Sequence, residues 1–296
     1  MNEMLNNCNL CPRHCGVNRN NSELGFCRAG NKLKIARHSL HMWEEPCISG
    51  DKGSGTIFFS NCNLKCIFCQ NYYISTENNG SLYTVEEFAD MCIDLQNRGA
   101  LNINLVTPTH FVPLIIDGLK LAKEKGLTIP IVYNTSSYEN VETLKLLEGI
   151  VDIYLPDLKY IDNDISKKYS GIDDYFEVAT KAIKEMYREQ PKCIFNKDGI
   201  MQKGVIVRHL LLPGMENDSK KILKYLYDTY KNNIYISIMN QYTPVRTLKY
   251  KELNKKVDEN VYNDVIDYAW DIGIRNAFTQ EEGTQKESFI PDFKEK

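Results

Sequence analysis

Cys62, Cys66 and Cys69 lie in the string CNLKCIFCQN, directly after the apolar run Thr56–Ser60. That run reads as a strand, so the three thiols open the loop that follows it. Three thiolates in one short loop suit three corners of a [4Fe-4S] cluster. The fourth iron then has no protein ligand and is open to a further group. A C-x₃-C-x₂-C loop can also hold zinc with a histidine from elsewhere, such as His41 or His110. A second set, Cys8, Cys11, Cys15 and Cys27, is spaced C-x₂-C-x₃-C-x₁₁-C, enough for a complete four-thiolate site holding zinc or a second iron-sulfur cluster.

Eight of the ten cysteines fall in the first 69 residues, and only Cys92 and Cys193 lie beyond. Such crowding suits metal or cluster ligation in a reducing compartment better than a disulfide framework. The start, MNEMLNNCNL, lacks a basic region followed by an apolar core, and no apolar stretch is long enough to span a membrane. A cytoplasmic protein is therefore expected. A net charge of -3 speaks against a mainly electrostatic grip on nucleic acid or anionic lipid.

The elements that must position these thiols show in the periodicity. Residues 1–50 have no sustained period and are rich in Cys, Asn, Arg and Gly, which predicts a small metal-held segment ahead of one domain over 51–296. From Thr56 onward strands and helices alternate. Strands are expected at 56–60, 102–107, 129–134, 151–155, 204–212 and 234–239. Helices are expected at 84–99, 111–125, 141–147, 173–187, 219–230 and 259–272, with Thr84 as an N-cap and Gly99 and Gly126 as stops. A short apolar run follows near 274–278. Six β/α units and a remnant imply an α/β fold with a parallel sheet, a partial, open (β/α)₆ barrel of TIM type rather than a closed eight-fold one.

Chemistry in such folds gathers where the strands end. Those ends hold Thr107, Thr109 and His110, then Asn134 and Ser136, then Asp157 and Lys159. Arg208 lies on the fifth strand, and Asn240 to Tyr242 follow the sixth. Each alone is ordinary turn chemistry. Together they describe a site for a polar, zwitterionic ligand.

The string CNLKCIFCQN resembles the glycyl-radical activating branch of the radical S-adenosylmethionine (SAM) enzymes, with Phe68 before the third cysteine and Asn71 after it. VDIYLPDLKY and IVRHLLLPGMEND resemble that family's fourth and fifth strand segments. Cys8–Val17 and Glu44–Thr56 resemble a pyruvate formate-lyase activating-type subgroup, so the likeness covers nearly the whole chain. It implies that Cys62, Cys66 and Cys69 hold a [4Fe-4S] cluster at which SAM is cleaved reductively to a 5′-deoxyadenosyl radical that takes hydrogen from a substrate. Phe68 would flank the adenine, Lys159 would meet the SAM carboxylate, and Asp157 a cation or the methionine group. Thr107 and Thr109 replace a Gly-Gly-Glu-type contact to the amine, and Asn134 replaces an acidic residue. Asn71, Ser136, Arg208 and Tyr242 complete the implied cofactor contacts.

The implied partners are a glycyl-radical enzyme or another substrate, and an electron donor such as flavodoxin or ferredoxin. Two further readings stand beside this one: a radical SAM enzyme acting on a small molecule or peptide, and a non-catalytic zinc or iron-sulfur binding module.

Overall fold

The computed structural model describes residues 2–280, 291 and 293. Its strands are β1 (Leu33–His41), β2 (Ser54–Phe59), β3 (Ser81–Tyr83), β4 (Ile103–Val106), β5 (Ile131–Thr135), β6 (Ile153–Pro156), β7 (Ile194–Phe195), β8 (Met201–Leu210), β9 (Tyr235–Met239) and β10 (Ala277–Phe278). The sheet order is β10-β9-β8-β6-β5-β4-β2-β1-β3, with β7 paired to β8 off this path. From β2 to β10 the ladder is parallel throughout, and β1 joins it antiparallel to β2. The two ends of this order, β3 and β10, are not paired with each other, so the barrel is partial and open, as the alternation predicts.

Every residue of β2, β4, β5 and β6 is buried, the pattern of strands covered on both faces. The longer covering helices are α1 (Val85–Asn97), α2 (Val112–Glu124), α3 (Asn163–Ser170), α4 (Tyr175–Glu189), α5 (Glu216–Tyr230) and α6 (Glu259–Asp271). Helix α1 begins where the chain chemistry says it should. Thr84 accepts from the Glu87 N–H while the Glu87 carboxylate accepts from the Thr84 N–H, which satisfies two otherwise orphaned donors. Gly118 lets α2 approach α1 closely, since a Cβ there would strike the Phe88 ring.

The short strands β3 and β7 are not among those expected, and three further elements depart from the expectation. Residues 33–41, expected to lack regular structure, form β1, whose sequence LKIARHSLH is half polar because only one flank of it faces the core. Helix α3, NDISKKYS, was hidden by its polar composition, although Asp162 caps it by accepting from the N–H groups of Asp164 and Ile165. The helix expected over 141–147 is one α-turn, Val141–Leu144, continued as a 3₁₀ turn over Lys145–Leu147.

Candidate active site

The loop after β2 folds back on itself to bring its thiols to one cavity. Asn61 and Lys65, each preceding a cysteine, adopt left-handed backbone at φ 75° and 57°. The Cys69 N–H closes a turn on the Cys66 carbonyl at 3.2 Å. Each sulfur receives a donor: the Leu64 N–H to Cys62 at 3.3 Å, Ser170 Oγ to Cys66 at 3.0 Å, and Ser75 Oγ to Cys69 at 3.3 Å. Such donors stabilise sulfur that carries negative charge. No disulfide engages any of the three.

All three line a cavity of about 230 Å³, together with the ends of the parallel strands. Of the expected cofactor contacts, Phe68, Asn71, Thr107, Asn134, Ser136, Asp157, Lys159 and Arg208 line it. Thr109 and Tyr242 are not among its lining residues. Thr109 turns its hydroxyl into the core, where it donates to Glu139 at 2.6 Å. Tyr242 sits behind Phe68 with ring centroids 6.2 Å apart, and donates its hydroxyl to the Leu253 carbonyl at 2.7 Å. Phe68 is held edge-on by Tyr160 and Tyr169 as well.

Burial pushes the Cys66 thiol up to about 12, against the pull of Lys159 and of Ser170. Burial also raises Cys69, opposed by Ser75. Burial works against the Lys159 ammonium, but its ion pair with Asp157 and the nearness of Cys66 outweigh this and hold its pKa above the ordinary value. A cation thus stands beside two thiols that would have to ionise to bind a metal. The donor set fits a cluster with one open iron: three unlinked sulfurs, two of them on buried residues and the third half-buried, each with a hydrogen-bond donor, sharing a cavity with polar strand ends.

Two groups that the sequence reading did not single out hold this cavity in shape. The Tyr175 hydroxyl lies 2.9 Å from the Ser136 carbonyl and 3.0 Å from the Asp157 carbonyl, and accepts the Lys159 N–H at 3.1 Å. It therefore locks the ends of β5 and β6 together from helix α4. At the wall of the same cavity, Glu44 and Glu45, from the segment before β2, meet Arg208 at 3.1 Å and 3.6 Å, and Asp157 lies 3.8 Å from it. Neither arrangement has a local sequence signal, since each depends on partners distant in the chain.

Glu139 is the third structural polar centre. It accepts from Thr109, Thr135 and Tyr133, and burial, opposed by those hydrogen bonds, raises its pKa to about 7 from the ordinary 4.5. Because the folded pKa is the higher one, the folded state binds this proton more tightly. The stability it contributes is full below pH 4.5 and lost as pH rises through 7. Between those limits the wild type is expected to lose about 3 kcal/mol relative to Glu139→Gln, whose amide stays neutral. Urea unfolding at pH 5 and pH 8 measures it, and parallel behaviour of the two proteins would count against a buried carboxyl here.

The radical SAM superfamily model matches residues 56–226. The chain belongs to that superfamily. An uncharacterized protein of Methanocaldococcus jannaschii is 31% identical over 277 residues, spanning 90% of this chain and 75% of that one. The pyruvate formate-lyase-activating enzyme of Clostridium pasteurianum is 26% identical over 210 residues, spanning 67% and 79%. Streptococcus suis SuiB bound to S-adenosylmethionine superposes with a TM-score of 0.51 at 15% identity, over 76% of this chain and 49% of that one. The chain thus spans about half the length of SuiB, and the likeness there is one of fold. Membership implies a [4Fe-4S] cluster and SAM as cofactors. Among the described residues no helix is long and apolar enough to cross a membrane.

Proposed function

We propose that Cys62, Cys66 and Cys69 hold the [4Fe-4S] cluster and that the cavity they line binds SAM for hydrogen abstraction from a glycine of a partner protein. The observation that carries this is the meeting of the three unlinked thiols with the ends of the parallel strands around one cavity. When bound, cluster and SAM together supply a 5′-deoxyadenosyl radical. The chain's own residues bind and shield. The Lys159 ammonium, fixed by Asp157, offers a charge to the SAM carboxylate, and Asn134 and Ser136 offer polar partners from the adjacent strand end. Phe68, braced by three tyrosines, presents an apolar face to the adenine. Thr107, in left-handed backbone at φ 59°, donates its N–H to the Asn134 carbonyl at 2.9 Å, so these two strand ends move as one.

A glycyl-radical enzyme as the substrate is supported by the likeness to the pyruvate formate-lyase-activating enzyme. The reducing electron would come from a one-electron donor of the flavodoxin or ferredoxin kind. The test is anaerobic: reconstitution with iron and sulfide, reduction, addition of SAM, and quantification of 5′-deoxyadenosine. Formation of that product is expected. A protein loaded with a full cluster that makes none sinks the reading and leaves a metal-binding module. The substrate class is tested separately, by the electron paramagnetic resonance signal of a glycyl radical on an added glycyl-radical enzyme.

A further inference from the structure

The remaining N-terminal chemistry lies outside that cavity. Cys8, Cys11, Cys15 and Cys27 line a second, separate one, with Arg19 and His110 among the other residues around it. Backbone N–H groups address three of the four sulfurs: Arg13 to Cys11, Ala29 to Cys27, and Phe26 to Cys15 at 3.4 Å. The fourth, Cys8, faces Arg19, whose Nη1 is 3.8 Å from its sulfur. Two groups here lack what they need. Arg19 is only 1% exposed, yet its partners are the Gly30 and His110 carbonyls and the Cys8 thiol. Among the described residues no carboxylate pairs with it. A buried cation without a counter-charge is strongly disfavoured. His110, 2% exposed, lies with Nε2 2.8 Å from the Ser60 carbonyl, and its Nδ1 has no partner.

We propose that Cys8, Cys11, Cys15 and Cys27 hold one zinc ion as a tetrathiolate, which supplies the missing counter-charge to Arg19. Four thiolates around Zn²⁺ carry a net charge of about -2. Four protons leave the thiols, and no electron moves. The cavity among these thiols measures about 10 Å³, room for one ion or one water; zinc is the occupant proposed, and iron with sulfide is the outcome that overturns it. As placed, no three His, Cys, Asp or Glu side chains among the described residues form a group ready to hold a metal, so loading turns the thiols inward. The site braces the other loop. Arg13 Nε donates to the Asn63 carbonyl at 2.9 Å, Lys65 Nζ to the Phe26 carbonyl at 2.7 Å, and His110 meets Ser60. All three contacts link the N-terminal segment, or the wall of its cavity, to the stretch that carries Cys62.

The experiment does not depend on SAM chemistry. The full chain and a variant with Cys62→Ala, Cys66→Ala and Cys69→Ala are purified anaerobically with zinc supplied, and zinc, iron and sulfide are measured. One zinc per chain is expected in both, with iron and sulfide absent from the variant. Adding Cys11→Ser and Cys27→Ser is expected to abolish the zinc. Since that protein can fail to fold, cobalt exchange into the three-alanine variant gives an independent reading. Tetrahedral d–d bands with strong sulfur-to-cobalt charge transfer are expected, unchanged by His110→Gln. Zinc below a tenth of an equivalent, or iron and sulfide in its place, overturns the proposal. A cobalt spectrum altered by His110→Gln overturns the four-sulfur ligand set.

Discussion

Cys66→Ala is expected to lower 5′-deoxyadenosine formation by about a thousandfold or more, the scale on which removal of one indispensable group acts. The fold should survive. Burial pushes this thiol up to about 12, so in the metal-free protein it is neutral and the substitution removes no charge. Its hydrogen-bond donor, Ser170 Oγ, keeps a second partner in the Tyr160 hydroxyl at 2.8 Å. The loss is then one small buried side chain, about 1 kcal/mol. Anaerobic product quantification read beside the urea midpoint separates the two effects. A Cys66→Ala protein that cleaves SAM at the wild-type rate removes this loop from the mechanism; one that unfolds places Cys66 in the scaffold instead. Ser170→Ala should act far more mildly, because it withdraws a hydrogen bond and leaves the sulfur.

The parallel framework could be read from sequence because its strands are short, mostly apolar runs separated by amphipathic helices. β4 and β5 fall within one or two residues of expectation for that reason. The cysteine loop could be read because its chemistry is packed into eight consecutive residues. What escaped is non-local. The Glu44–Arg208 pair joins residues 164 apart, so the segment that carries Glu44 could be noticed in the sequence while its partner could not. Thr109 stands two residues beyond Thr107 and looks equally available, yet a 3₁₀ turn at Thr109–Phe111 turns it to Glu139. Tyr242 lies three residues past the end of β9, but Phe68 packs against its ring. Position after a strand thus nominates a residue for the cavity, and the local turn decides whether its side chain enters.

Arg208→Met tests that buried charge cluster, and it is expected to cost ~3–5 kcal/mol at pH 8. The guanidinium is buried, which disfavours its charge, but Glu45, Glu44 and Asp157 outweigh this and hold its pKa above the ordinary value. Methionine approximates its stem and removes the cation, leaving Glu44, Glu45 and Asp157 facing one another, with Lys159 paired to Asp157. Asn104 still donates to Glu44 at 3.0 Å, which cannot replace a charge. The sign of the pH dependence follows. Burial already raises Glu45, with Arg208 opposing, so withdrawing Arg208 raises the folded-state pKa further. A carboxyl whose folded pKa lies above its unfolded value stabilises the fold at low pH and ceases to as pH rises through the folded pKa. The penalty should therefore be smaller at pH 5 than at pH 8, because Glu45 takes up its proton as the pH falls. Urea unfolding of wild type, Arg208→Met and Arg208→Lys at both pH values reads this out, with the lysine protein in between because it keeps a charge without the planar fork. A penalty below about 1 kcal/mol and independent of pH would match a solvated ion pair, and this part of the cavity wall would then be wet rather than sealed.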